Sequence, residues 1–171
     1  MVVVDSSALI PLARVGRLDL ISAVFEEIRT IEAVREEVLE AGKPGTASLK
    51  SFLDDIEITE TPADADEMAE LEGITPADAG VIIAARDEET VLLANDKGLI
   101  EVGRTQGVEC WWVTTLLLKC TKEGVIDARA ATDLLYDLVD RGMNLHPKVY
   151  AKVETQLREL GEGASGEERG V

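Results

Sequence analysis

The tripeptide Val2-Val3-Val4, followed at once by Asp5 and then by Ser6-Ser7-Ala8-Leu9-Ile10, constrains this chain more than any other stretch. Three uninterrupted β-branched residues suit a short strand buried on both faces, as strands of parallel sheets are. Ser6 or Ser7 can cap a helix that begins with Ala8, or donate a hydrogen bond to Asp5. Asp5 therefore stands where a central strand stops and a helix starts. In an open α/β sheet that edge is where ligands bind, beside helix N-termini that tolerate an anion. The same aspartate also reads as a plain turn or cap residue, so its meaning depends on what else the chain brings to that edge.

Four later stretches repeat the strand signal: 28–31, 56–59, 90–93 and 108–113. Helical periodicity fills the gaps between them. Residues 32–41 read as a helix with Ala33, Val34 and Val38 on one face, ended by Gly42 and the Lys43-Pro44-Gly45 turn. Thr75-Pro76-Ala77-Asp78 is a helix start, with Thr75 as the cap and Pro76 at the first helical position. Strands alternating with helices indicate a three-layer α/β/α fold on a parallel sheet of about five strands. From Thr114 onward the pattern is all helical, in three segments divided by Gly124 and by residues 142–147. Leu134, Leu135 and Leu138 form one apolar face there, and Val149, Val153, Leu157 and Leu160 another. The expected organisation is an α/β domain over 1–122, a helical extension packed on it over 123–160, and a Gly- and Glu-rich disordered tail over 161–171.

Composition narrows the chemistry. No apolar stretch is long enough to span a bilayer, and the chain opens directly into a strand, so neither a membrane partner nor a secretory leader is expected. Cys110 and Cys120 lack metal-type spacing and read as reduced, buried or half-buried thiols of a cytoplasmic protein. His146 is the one histidine, which leaves little for a His-based metal site or a Ser/His/Asp triad, and its place before Pro147 suits a helix start. Trp111 and Trp112 should alternate across the last strand, one in the core and one partly exposed, where it can stack on a base. The net charge of −17 argues against generic phosphate binding, because phosphate neutralisation needs basic residues. It also suits a surface adapted to high salt, where screening is strong.

Four acids stand out by position. Asp5 follows the first strand and Asp96 the fourth; Asp78 opens a central helix; Glu37 flanks the apolar face of the helix over 32–41. The fold brings all four to one edge of the sheet. Taken singly, each has a structural reading: Asp78 completes a capping box, Asp96 sits in an Asn-Asp-Lys-Gly turn, and Glu37 lies in an acidic helix. Taken together they cannot all stay ionised without a cation. Oxygen donors without Cys or His partners suit Mg²⁺ or Mn²⁺, which can activate a water and stabilise the leaving oxygen of a phosphodiester.

In this order, VVVDSSALI, AVREEV, TPADAGVIIAA and VLLANDKGLI resemble the PIN-domain ribonuclease family, many of whose members are toxins of VapBC-type toxin–antitoxin pairs. Residues 122–153 are similar to the helical end of one archaeal and bacterial branch. The resemblance implies a metal-dependent endoribonuclease with RNA as substrate. It implies that Asp5, Glu37, Asp78 and Asp96 hold the metal, with Glu36 as the less favoured register and Ser6 as the hydroxyl neighbour of Asp5. It further implies an antitoxin partner that offers a basic side chain to the acidic site, and it allows a homodimer. Arg14, Arg35 and Lys97 are the local cations available to RNA. The chain departs from the family at Ala94, where many members carry Thr or Ser; Asn95 is a neutral donor next to it. A zinc ribbon is absent. A protein–protein interaction module with weak catalysis is the competing reading, supported by the helical tail and the acidity. A phosphatase of the haloacid dehalogenase type wants a second Asp two residues after the first, where Ser7 stands. If the acidity answers to salt, the melting temperature rises between dilute buffer and molar KCl; a fall would exclude that reading.

Overall fold

The computed structural model describes residues 1–40 and 45–169, the side chains of 165–169 excepted. In chain order the elements are β1 (Val2–Val4), α1 (Ser6–Arg14), α2 (Asp19–Val24), β2 (Ile28–Ile31), α3 (Glu32–Leu39), α4 (Thr46–Asp54) and β3 (Glu57–Thr59). They continue with α5 (Ala65–Glu72), α6 (Pro76–Asp87), β4 (Val91–Leu93), α7 (Lys97–Thr105), β5 (Cys110–Trp111), α8 (Val113–Lys122), α9 (Ala128–Asp140) and α10 (Pro147–Arg169). The turn expected over 42–45 to end α3 lies mostly outside the described residues.

The strands form one sheet in the order β3-β2-β1-β4-β5, and every pairing is parallel. The chain steps outward from β1 through β2 to β3, then returns to the other side of β1 for β4 and β5. Right-handed crossovers in opposite directions place their helices on opposite faces. Accordingly α1, α3 and α4 pack with one another, as do α5 and α6, and α6 and α7. The reversal falls between β1 and β4, so the carboxyl ends of these two strands flank a crevice. Val2, Val3 and Val4 are buried on both sides, which is why the run is continuous rather than alternating.

The three C-terminal helices share the sheet's core rather than forming one of their own. Leu134, Leu135, Leu138, Val153 and Leu157 belong to the same buried cluster as Val2–Val4 and Leu93. Arg14 and Arg141 clamp α1 to the end of α9, each guanidinium donating to the other's carbonyl at 3.4 and 3.2 Å. Helix α10 continues through Arg169, across the part of 161–171 whose composition suggests disorder; residues 170 and 171 lie outside the described residues.

Three local expectations are corrected. The stretch 108–113 is a strand only at Cys110–Trp111, because Trp112 N–H donates to the Thr115 hydroxyl at 3.3 Å and α8 begins at Val113. With the strand cut short, the two tryptophans do not split into core and surface; both are half-buried. Trp111 packs on Phe25 with centroids 5.2 Å apart and donates from Nε1 to Glu109 at 3.1 Å. Val149, expected on an apolar face with Val153 and Leu157, does not share their burial and is 41 % exposed.

Gly80 fixes how α6 lies on the sheet. A Cβ at this position would stand 2.5 Å from Ile31 Cδ1, itself fully buried at the end of β2. The helix thus approaches as closely as glycine permits, and its N-terminus with Asp78 is brought over the strand ends. We expect Gly80→Val to lower stability by about 1–3 kcal/mol in urea titration, through overpacking against Ile31. Unchanged stability would show that Ile31 can yield.

Candidate functional site

Asp5 is the N-cap of α1, with extended backbone at φ −100°, ψ 157°. Its Oδ2 accepts from the Ser7 N–H at 3.0 Å and from the Ser7 hydroxyl at 2.6 Å. Ser7 Oγ in turn accepts from the Asn95 N–H at 2.8 Å, which ties the turn after β1 to the turn after β4. The expectation that a serine caps this helix is therefore reversed. Aspartate caps as well as serine does, and Ser7 falls at the second helical position, whose N–H the cap accepts. Nor is Ser6 the hydroxyl neighbour of Asp5; that contact belongs to Ser7. With Ala94 buried and bare, Ser7 supplies the hydroxyl at this edge.

The other carboxylate oxygen, Asp5 Oδ1, is buried and has no hydrogen-bond partner among the described residues. Asp5 is 1 % exposed. Burial pushes its pKa up to about 6, against the two Ser7 hydrogen bonds that favour the charged form, with further upward pressure from Asp78 and then Glu37.

The remaining acids converge on the same place. Asp96 is exposed and caps α7, its Oδ1 accepting from the Leu99 N–H at 2.9 Å. Asp78 is half-buried in the first turn of α6, where the Thr75 hydroxyl accepts from its N–H at 3.1 Å. Its carboxyl is pushed up by burial, then by the charge of Asp96, and also by Glu37, while Thr75 favours the charged form. Glu37 is exposed on α3, and it is Glu37 rather than Glu36 whose charge reaches Asp5 and Asp78. A chain of mutual repulsion thus links α3, β1, α6 and α7.

The donor set is all oxygen, and one of its atoms is buried without a partner, which fits a hard divalent cation. Among the described residues no three His, Cys, Asp or Glu side chains stand close enough to form a ready-made metal cluster. Charge interaction couples Asp5 to Asp78 and Glu37, and Asp78 in turn to Asp96.

Other candidates resolve into structural roles. His146 Nδ1 accepts from the Lys148 N–H at 3.1 Å and so caps the start of α10. Cys110 and Cys120 are buried thiols; burial pushes both up, Cys120 to about 11. Of the anticipated cations, Arg35 pairs with Glu32 and Lys97 with Glu101, each at 3.8 Å, and Arg14 donates to the Arg141 carbonyl. Among the described residues no helix is long and apolar enough to cross a membrane.

Because folding raises the Asp5 pKa, the native state binds a proton that the unfolded chain releases between about pH 4 and about pH 6. The metal-free fold is therefore favoured at low pH and loses on the order of 3 kcal/mol as pH rises through about 6. We expect Asp5→Asn, in EDTA, to be more stable than the parent by about 1–3 kcal/mol at neutral pH, with the gap closing toward about pH 4. Urea titrations at several pH values measure it, and a less stable variant at neutral pH would show that the charge is compensated.

VapC20 of Mycobacterium tuberculosis, whose crystal structure describes it as a sarcin–ricin loop cleaving toxin, is similar to this chain at 18% identity and a TM-score of 0.48. The alignment covers 60% of this chain and 95% of that one. No curated protein matches the sequence significantly. The profile of the PIN-domain family DUF3368 matches residues 1–159, and on that match the chain belongs to the PIN-domain family.

Proposed function

We propose that this chain is a divalent-metal-dependent endoribonuclease, in which Asp5, Glu37, Asp78 and Asp96 hold Mg²⁺ or Mn²⁺ and RNA phosphodiester bonds are the substrate. One observation carries the reading: Asp5 Oδ1 is buried with no partner among the described residues, at the switch point of the sheet, with two further carboxylates acting on it. A buried acceptor left unsatisfied is costly, and a repelled cluster of acids gains most from a cation. Membership of the PIN-domain family supports phosphodiester hydrolysis as the reaction. A hard cation bound here would lower the pKa of an attacking water and stabilise charge on the phosphate.

The chain's own residues then divide the work. Ser7 anchors one oxygen of Asp5, so that the other has a set direction. Asp96 and Glu37, both exposed, stand on the open side from which a strand of RNA approaches. Asp78 is tethered through Thr75 and the close seat of α6. In this reading the chain acts as the toxin of a toxin–antitoxin pair, and a basic side chain of the antitoxin covers the carboxylates.

We expect Mn²⁺ to stabilise the folded protein by about 3 kcal/mol at roughly a hundredfold excess over its Kd, and Asp5→Asn to abolish that gain in thermal denaturation. RNA cleavage should be lost in EDTA and fall at least about 100-fold in Asp5→Asn and Asp96→Asn. A folded protein that neither responds to Mn²⁺ nor cleaves RNA would transfer the assignment to an interaction module.

A further inference from the structure

The carboxyl edge of the sheet does not end at Asp96. One strand further out, β5 stops at Trp111, and Trp112 follows it in extended conformation as the cap of α8. Between Trp112, the start of α7 and the loop before α10 lies a cleft of about 670 Å³. Its apolar wall is made by Trp112, Leu145 and Val149, and its polar rim by Lys97, Arg104 and His146. Asp96 borders the same cleft, so it opens directly onto the candidate metal-holding edge.

We propose that this cleft is a nucleotide subsite, in which a base of single-stranded RNA next to the scissile phosphate stacks on Trp112 while Arg104 takes a neighbouring phosphate. The inference rests on the endoribonuclease reading and specifies how that substrate is held. Three observations carry it. The first is the tryptophan. Trp112 is half-buried rather than packed away, and it sits on the wall of a cleft. An indole face exposed in a cleft is a platform for any base, because every base has a π-face. The second is Val149, which helical periodicity places on an apolar face and which the structure leaves 41 % exposed on the same wall. An apolar slot open to solvent is stabilised by a flat, apolar-faced ligand.

The third is the local charge. In a chain of net charge −17, this rim places Lys97 and Arg104 together. The rim also carries Glu101, but Lys97 already pairs with it at 3.8 Å, whereas Arg104 makes no ion pair among the described residues. Arg104 is exposed on α7 and free to meet a phosphate in the bidentate geometry that guanidinium favours. The distance also suits. β5 lies two strands from β1 in the sheet, so about 10 Å separates the end of the Asp5 strand from that of the Trp112 strand. A duplex presents its bases stacked inward and cannot use such a platform, so the cleft selects for single strands.

The test exploits the fact that the chain has two tryptophans. In the Trp111→Phe variant, all tryptophan emission comes from Trp112. Titration with a single-stranded RNA hexamer in Mg²⁺ should quench it, and a blunt duplex of the same sequence should not. Trp112→Leu should weaken hexamer binding about 10-fold by a label on the RNA, and Arg104→Gln about 5-fold with a shallower dependence on salt. Far-UV circular dichroism checks that both variants fold, and Arg104→Gln, on an exposed helix face, stands in if Trp112→Leu does not. Equal quenching by duplex, or unchanged affinity in Arg104→Gln, would overturn the subsite. Cleavage by the parent protein without any quenching of Trp112 would overturn the subsite alone and leave the nuclease reading intact. Quenching and the Arg104 effect without cleavage would uphold the nucleotide site and remove the nuclease reading.

Discussion

A carboxylate with one oxygen bonded and the other bare, buried at the end of the central strand, is the interaction on which the rest of this structure turns. Asp5 accepts twice from Ser7 through Oδ2, while Oδ1 has no donor among the described residues. Left ionised in a low-dielectric setting beside Asp78 and Glu37, such a group opposes folding. The fold accommodates it because the parallel sheet packs Val2–Val4 completely and the cap of α1 needs an acceptor where Asp5 stands. The hydrophobic burial of one strand thus holds in place a charge that would otherwise seek water.

Several unrelated contacts serve that position. The hydrogen bond from Asn95 N–H to Ser7 Oγ joins the β1 and β4 turns across the switch point. Gly80 lets α6 settle on Ile31, and Thr75 orders the first turn that carries Asp78. Helices α8 to α10 bury their leucines in the sheet's own core and close the far side of the crevice with the loop that caps α10 through His146. A cluster of small residues, Ala65, Ala69 and Ala79 with Ile83, fastens α5 beneath α6. The acids at the edge are therefore mounted on elements that rigid packing fixes, which suits chemistry that depends on orientation.

Much of this was legible in the chain itself. Continuous β-branched or apolar runs marked β1 and β4, Ile28 and Ile31 marked β2, and Thr75-Pro76 marked the start of α6, because those signals are local. Asp5, Asp78 and Asp96 were visible as acids following strands or opening helices. Less visible was the division of labour in the first turn. Ser6 and Ser7 are equivalent as residue types, and only the i to i+2 geometry of the cap makes Ser7 the partner of Asp5. The register of α3 was ambiguous for the same reason: Glu36 and Glu37 are both exposed, and the direction of the helix relative to β1 selects Glu37 as the acid that reaches Asp5. The edge tryptophans were misread as an alternating pair because the strand that should carry both ends after the first, once α8 begins at Val113.

What the sequence by itself determined was the succession of strands and helices, the parallel class of the sheet, and the acids that punctuate its strand ends. Those follow from hydrophobic period and capping chemistry, which act over a few residues. What only the tertiary structure decided was the strand order β3-β2-β1-β4-β5 and everything that depends on it. The pairing of β1 with β4 brings Asn95 to Ser7, the partner of Asp5, although the two lie 88 positions apart in the chain. Such pairings close long loops and are selected by the packing of whole faces, so no local pattern encodes them. The same packing leaves Val149 and Trp112 on the wall of a cleft rather than inside a core, a distinction that hydrophobic period cannot make.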